Sequence, residues 1–180
     1  MNTMRQDLKR IVPLLVGLLL FSLIFAVGGG RLGCGSSIEG EPAPDFTAII
    51  RSGEGRGDRV ELAALRGRVV VLDFWAHWCE PCRVSTPELN AVRESLGDSP
   101  VSFYGVNVEA NLAPRRVIEE HVRFGATFPT FHDEDRSMTT AYRADRLPTI
   151  VVIDREGIVR FRGSGVPDRR RFERLIRELL

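Results

Sequence analysis

The chain has 180 residues, 43% of them apolar, which suits one ordinary domain with a remainder to explain. Its formal net charge is +1 and it carries no basic block, so there is no electrostatic case for nucleic acid as a partner. Of its 25 basic residues only Lys9 is a lysine; the scattered arginines are a skew of composition rather than of chemistry.

In chain order, the first element reads as a membrane segment. Ile11 to Val27 is uncharged over 17 residues, and Gly28-Gly29-Gly30 extends it to 20, near the ~20 a helix needs to cross a bilayer. Arg5, Lys9 and Arg10 precede it and should stay cytoplasmic, which puts everything after Val27 on the extracytoplasmic (periplasmic) side of a bacterial cell membrane. A cleaved signal peptide, leaving a secreted form, is the alternative. Leu32-Gly33-Cys34-Gly35-Ser36-Ser37 resembles a lipoprotein processing site, departing from it at Arg31, so Cys34 is a candidate lipid attachment. The expected division is a membrane anchor or signal over 1–28, a Gly/Ser/Pro-rich linker over 29–42 and a folded domain over 43–180.

Within the domain, Phe46–Ile50 and Arg59–Leu62 read as two short strands joined by the glycine-rich Ser52–Asp58, a hairpin. The strand 68–75 is apolar on both faces and belongs in the middle of a covered sheet. A helix from Glu80 carries Val84, Leu89, Val92 and Leu96, is bent by Pro87 and stops at Gly97. A strand over Val101–Val108 and a helix from Pro114 to Phe124, stopped by Gly125, come next. Phe128–Phe131 is a short strand, and Ser137–Arg143 a short helix with Met138, Ala141 and Tyr142 inward. Thr149–Ile153 and Ile158–Phe161 form a hairpin about Asp154–Gly157, and a last helix from Asp168 presents Phe172, Leu175, Ile176 and Leu179. The order β-β-β-α-β-α-β-α-β-β-α predicts an α/β sandwich with a mixed sheet.

The chemistry is concentrated in Trp78-Cys79-Glu80-Pro81-Cys82, where the buried strand hands over to a helix. Unpaired backbone N–H groups and the helix dipole favour negative charge there, so Cys79 should ionise readily, and the thiolate is the species that attacks disulfides. Cys82, one turn on, shares its helix face and can close a short Cys79–Cys82 disulfide. Three cysteines fit one redox pair plus a spare, Cys34, rather than a disulfide framework. In an exported protein a lone pair three residues apart suggests a working disulfide.

Phe74-Trp75-Ala76-His77-Trp78-Cys79-Glu80-Pro81-Cys82, Pro87 five residues later and Leu147-Pro148-Thr149 before a strand resemble the thioredoxin superfamily, and within it the TlpA/ResA-like membrane-anchored thiol–disulfide oxidoreductases. The resemblance covers about residues 42–180 and implies a thioredoxin-like three-layer α/β/α sandwich with a mixed central sheet, an N-terminal β-hairpin and a central insertion over Asn111–Thr140. It implies Cys79 as attacking thiol and Cys82 as buried resolving thiol. It makes Pro148 a cis-proline against the disulfide, with the backbone of Leu147 pairing an extended substrate segment. Trp78 and Pro81 are expected beside the substrate. Asp73 stands where many of these proteins have asparagine, and Ser85 where some carry a glutamate. Burial should raise the Asp73 pKa, making it a proton acceptor for Cys82. Glu80, between the cysteines, tunes the redox pair or caps the helix.

The implied function is a tethered, extracytoplasmic thiol–disulfide oxidoreductase, more a reductant than an oxidant, with no cofactor. Its implied partners are thiols or disulfides of exported proteins, such as apocytochrome c, and a membrane-embedded thiol electron donor. A copper- or zinc-binding thiol module and a peroxiredoxin-like peroxidase are the alternatives. Trp75 and Trp78 are expected to pack around the site, His121 to lie in the core, and His77 and His132 at the surface. Arg169-Arg170-Arg171 is expected to form the wet face of the last helix.

Overall fold

A computed structural model describes residues 37–180; the expected segment 1–28, the first part of the linker and Cys34 lie outside the described residues. Seven strands form one sheet in the order β2-β1-β5-β4-β3-β6-β7. They are β1 (Thr47–Ser52), β2 (Arg59–Glu61), β3 (Val69–Trp75), β4 (Val101–Asn107), β5 (Thr130–His132), β6 (Thr149–Ile153) and β7 (Val159–Ser164). The helices are α1 (Glu80–Leu96), α2 (Pro114–Phe124), α3 (Ser137–Ala141) and α4 (Arg169–Glu178), with a 3-10 turn over Leu62–Leu65. The element order is the expected one, and the architecture is thioredoxin-like.

β3 lies inside the sheet because six of its seven residues are apolar, and all seven, Asp73 included, are buried. It pairs with β4 in parallel and β6 antiparallel, so the sheet is mixed. Successive side chains of β3 alternate between the two faces. Val69 and Val71 pack with Leu89, Val92 and Leu96 of α1 and Phe172 and Ile176 of α4. Val70, Leu72 and Phe74 pack on the other face with Phe131, Val117, Phe124 and Tyr142. The two cores make the three layers. The central insertion supplies α2, β5 and α3, and β5 wedges between β1 and β4.

Gly105 of β4 lies opposite Asp73 of β3. A Cβ at Gly105 would stand 2.8 Å from Thr130 Oγ1 and 3.0 Å from Trp75 Nε1, the two atoms of a buried hydrogen bond. Only glycine lets that bond form beneath the strand.

Several expectations are corrected. Residues 38–43, read as linker up to 42, dock on the domain: Ile38 is buried, Gly40 N–H donates to Val159 O, Pro42 bridges Ile158 and Ala43 N–H donates to Gly157 O. Val84, expected with the apolar residues that its helix carries, is 56% exposed, and Val122 is 68% exposed. The buried stripe of α2 is Val117, Glu120, His121 and Phe124, the i, i+3, i+4, i+7 set, which turns Val122 outward. In α3, Met138 is inward and Tyr142 is buried just beyond, whereas Ala141 faces out.

Candidate active site

β3 delivers the chain at Trp75 into a tight loop, and Cys79 is the N-cap of α1. Pro81 sits in its first turn, where a missing N–H removes no helical bond. Cys79 and Cys82 form a disulfide, their Cα atoms 5.3 Å apart. The Cys79 Sγ accepts the Cys82 backbone N–H at 3.2 Å, as an N-cap oxygen would. Cys82 is fully buried, and its carbonyl accepts Ser85 Oγ at 3.1 Å and Thr86 Oγ1 at 2.9 Å. Ser85 is therefore a helix-backbone donor here.

Beside this helix start runs the loop before β6. Leu147–Pro148 is a cis peptide, as expected. Thr149 pairs with Phe74, so Pro148 comes level with the end of β3 that leads into the cysteine loop. Trp78 is 64% exposed and faces solvent instead of packing. Trp75 is the buried one, held by Thr130 and tilted against Phe124, whose ring lies 5.1 Å away.

Asp73 shares its parity with Val69 and Val71 and points to the face that α1 covers. It is buried, its Oδ1 has no hydrogen-bond partner among the described residues, and loss of solvent raises its pKa to about 7. Glu80 is exposed and pairs with Arg83 Nε at 3.4 Å. Arg83 also donates to the His77 carbonyl at 3.2 Å and lies 4.4 Å over the Phe124 ring. Behind it Glu120 is buried beneath arginines, 2.9 Å from Arg116 and 3.2 Å from Arg123. Sequence reasoning missed Glu120, because a Glu-Glu pair in a basic helix reads as surface.

It also missed Glu109. Its carboxylate accepts the His77 backbone N–H at 2.7 Å and meets His77 Nδ1 at 2.6 Å, while Asn107 Nδ2 donates to it at 3.2 Å. Its carbonyl accepts His132 Nε2 at 2.8 Å. The His132 side chain, read as surface, is only 1% exposed. A groove of about 530 Å³ runs past this cluster, lined by His77, Trp78, Glu109, Arg136, Asp145 and Leu147 among others. No local pattern could have joined His77 to Glu109, 32 residues away, although each sits at the end of a readable strand. His121 is in the core as expected, its pKa lowered to about 4 by burial, but its Nε2 lacks a partner among the described residues. Among the described residues, no three histidine, cysteine or acidic side chains gather as a metal site.

Residues 39–162 match the AhpC/TSA family. The chain is 32% identical over 145 residues to the thiol-disulfide oxidoreductase ResA of Bacillus subtilis, covering 80% of this chain and 74% of that protein. It is 37% identical over 122 residues to ResA of Geobacillus thermodenitrificans, covering 67% and 66%. Among solved structures it resembles a thiol:disulfide interchange protein DsbE from Chlorobium tepidum, with a TM-score of 0.68, 29% identity and coverage of 78% and 96%.

Proposed function

We infer, from the premise that the chain belongs to the AhpC/TSA family and is a thioredoxin-like thiol–disulfide oxidoreductase, that it reduces disulfides of exported proteins while tethered outside the cytoplasm by residues 1–28. The observation that carries the chemistry is the Cys79–Cys82 disulfide at the start of α1, with the Cys82 N–H directed at the Cys79 sulfur. After reduction the same N–H and the helix dipole stabilise a Cys79 thiolate. That thiolate attacks a substrate disulfide, and a mixed disulfide forms as the substrate's second sulfur leaves. Cys82 then attacks Cys79, releasing the substrate thiol and restoring the internal disulfide. Cys82 is buried as a thiol and needs a base to become nucleophilic. Asp73, buried on the α1 face with its pKa near 7, is the acceptor assigned to it. Trp78, Pro81, Leu147 and Pro148 surround the substrate, and Glu80, held by Arg83, tunes the pair.

Apocytochrome c thiols are the substrate class that the family resemblance implies, and a membrane-embedded thiol carrier is the electron source. The basic flank and uncharged run of residues 1–28 support the tether, and Cys34 is a second means of attachment. The oxidoreductase name shared by the relatives favours exchange over the metal-module and peroxidase alternatives. A Cys82→Ser variant expressed in the native host should accumulate mixed disulfides through Cys79 with exported thiol proteins and with the donor. If the variant forms none while the wild type turns over, the assignment of Cys79 as attacking thiol fails.

A further inference from the structure

Outside the dithiol itself, a well-bonded polar cluster at the cysteine end of the sheet surrounds Glu109. Its carboxylate grips His77 twice, through the backbone N–H and through Nδ1. It is braced by Asn107 Nδ2, and its own carbonyl is tied to His132. A carbonyl can only accept, so His132 carries its proton on Nε2. By the same reasoning the carboxylate takes the proton of His77 Nδ1, which leaves Nε2 as the nitrogen free to react. Nε2 has no protein partner among the described residues, and the His77 side chain is 39% exposed. The ring lines the same groove as Trp78 and Leu147, and His77 is two residues from Cys79, at most ~7 Å of backbone.

We propose that His77, oriented by Glu109, is the proton-transfer group for the substrate's sulfur. The proposal deepens the exchange reading and rests on it. When the Cys79 thiolate attacks, its electron pair forms the Cys79–substrate S–S bond. The old S–S bond breaks, and its pair leaves on the expelled sulfur. The imidazolium form of His77, with a proton on each nitrogen, gives its Nε2 proton to that thiolate to make a thiol, and the neutral Nδ1–H imidazole left behind regains a proton from solvent. In the reverse direction Nε2 takes the proton from an incoming thiol. His77 is the catalytic residue here, and Glu109 is its positioning residue. The charged groups facing the ring are Glu109 from the end of β4, Arg83 of α1 on its carbonyl, and Arg136 and Asp145 along the groove. Glu80 acts on it through Arg83.

A poor leaving group needs the proton and a good one does not. The full-length protein in detergent, reduced with a dithiol and desalted, is mixed with bis(2-hydroxyethyl) disulfide, which expels a basic alkyl thiolate. In parallel it is mixed with 5,5′-dithiobis(2-nitrobenzoate), which expels a weakly basic aromatic one. His77→Gln should lower the ratio of alkyl to aromatic rate at least about tenfold and flatten the pH profile of that ratio. Glu109→Gln keeps an acceptor for the His77 N–H and should move the ratio the same way by a smaller factor. Equal slowing of both probes, as a merely structural role would give, or an unmoved ratio overturns the proton role. A wild type inert to both probes overturns the exchange reading and this proposal together.

Discussion

Two carboxylates serve the cysteine end of the sheet under opposite conditions. Asp73 is sealed under α1 with an unpartnered oxygen and a pKa raised to about 7. Glu109, one strand away, is gripped by His77 and Asn107 at the mouth of a groove. A bare buried acid is a poor anchor but exchanges its proton near neutral pH; a fully bonded one holds geometry. In the proposed exchange the same functional group thus supplies chemistry on the dry side of the dithiol and order on its wet side.

The largest effect that would sharpen this contrast is expected from Asp73→Asn. It should slow resolution of mixed disulfides about 100-fold near pH 8 and abolish the rise of the wild-type rate through about pH 7, followed by stopped-flow tryptophan fluorescence. Equal wild-type rates at pH 6 and 8 would break it. The same variant should raise stability. A folded pKa near 7 against 3.8 for the free group means the native state holds a proton that the unfolded chain has released. Wild-type stability therefore falls as pH climbs from about 4 through about 7. Above that the variant should lead by up to about 4 kcal/mol in urea unfolding, a gap that closes below about pH 4.

Glu109→Ala should act with the opposite sign, lowering stability by about 1–3 kcal/mol, because it strands the His77 N–H and the Asn107 amide. A stabilised Glu109→Ala would erase the distinction between the two acids. Trp78→Ala is the smallest expected change. At 64% exposure it should leave stability within about 0.5 kcal/mol, while raising KM for a protein disulfide about threefold.

Short-range patterns made most of the fold legible. The β3 run, Pro114 and Gly125 around α2, Asp168 before α4 and the turn at Asp154–Gly157 each carry their signal within a few residues. The dithiol could be located in the same way, whereas Asp73 and Pro148 stand out through the family resemblance. Part of what escaped depends on contacts between distant residues. His132 looked solvated in a run of acids, yet its ring bonds a carbonyl 23 residues back. Glu120 looked exposed because burying a carboxylate needs partners, and those come partly from Arg116 and Arg123 on its own helix. Val122 is apolar but lies off the stripe that Val117 and Phe124 set. A glycine- and proline-rich composition gave residues 38–43 the look of a free tether, although their N–H and C=O groups find partners on β7 and the turn before it.

That docked strip also settles how the sheet ends. A sheet's outermost strands offer unpaired backbone groups on which a stray polypeptide can grow. Here one outermost strand, β2, is only three residues long. The other, β7, is hemmed at its start: Gly40 and Glu41 exchange hydrogen bonds with Val159, and the Glu39 carboxylate takes up the Arg162 N–H at 2.7 Å. Both margins offer little purchase for unwanted strand growth. In the proposed function, extended substrate segments can thus be met at the cysteine end without being collected along the rims.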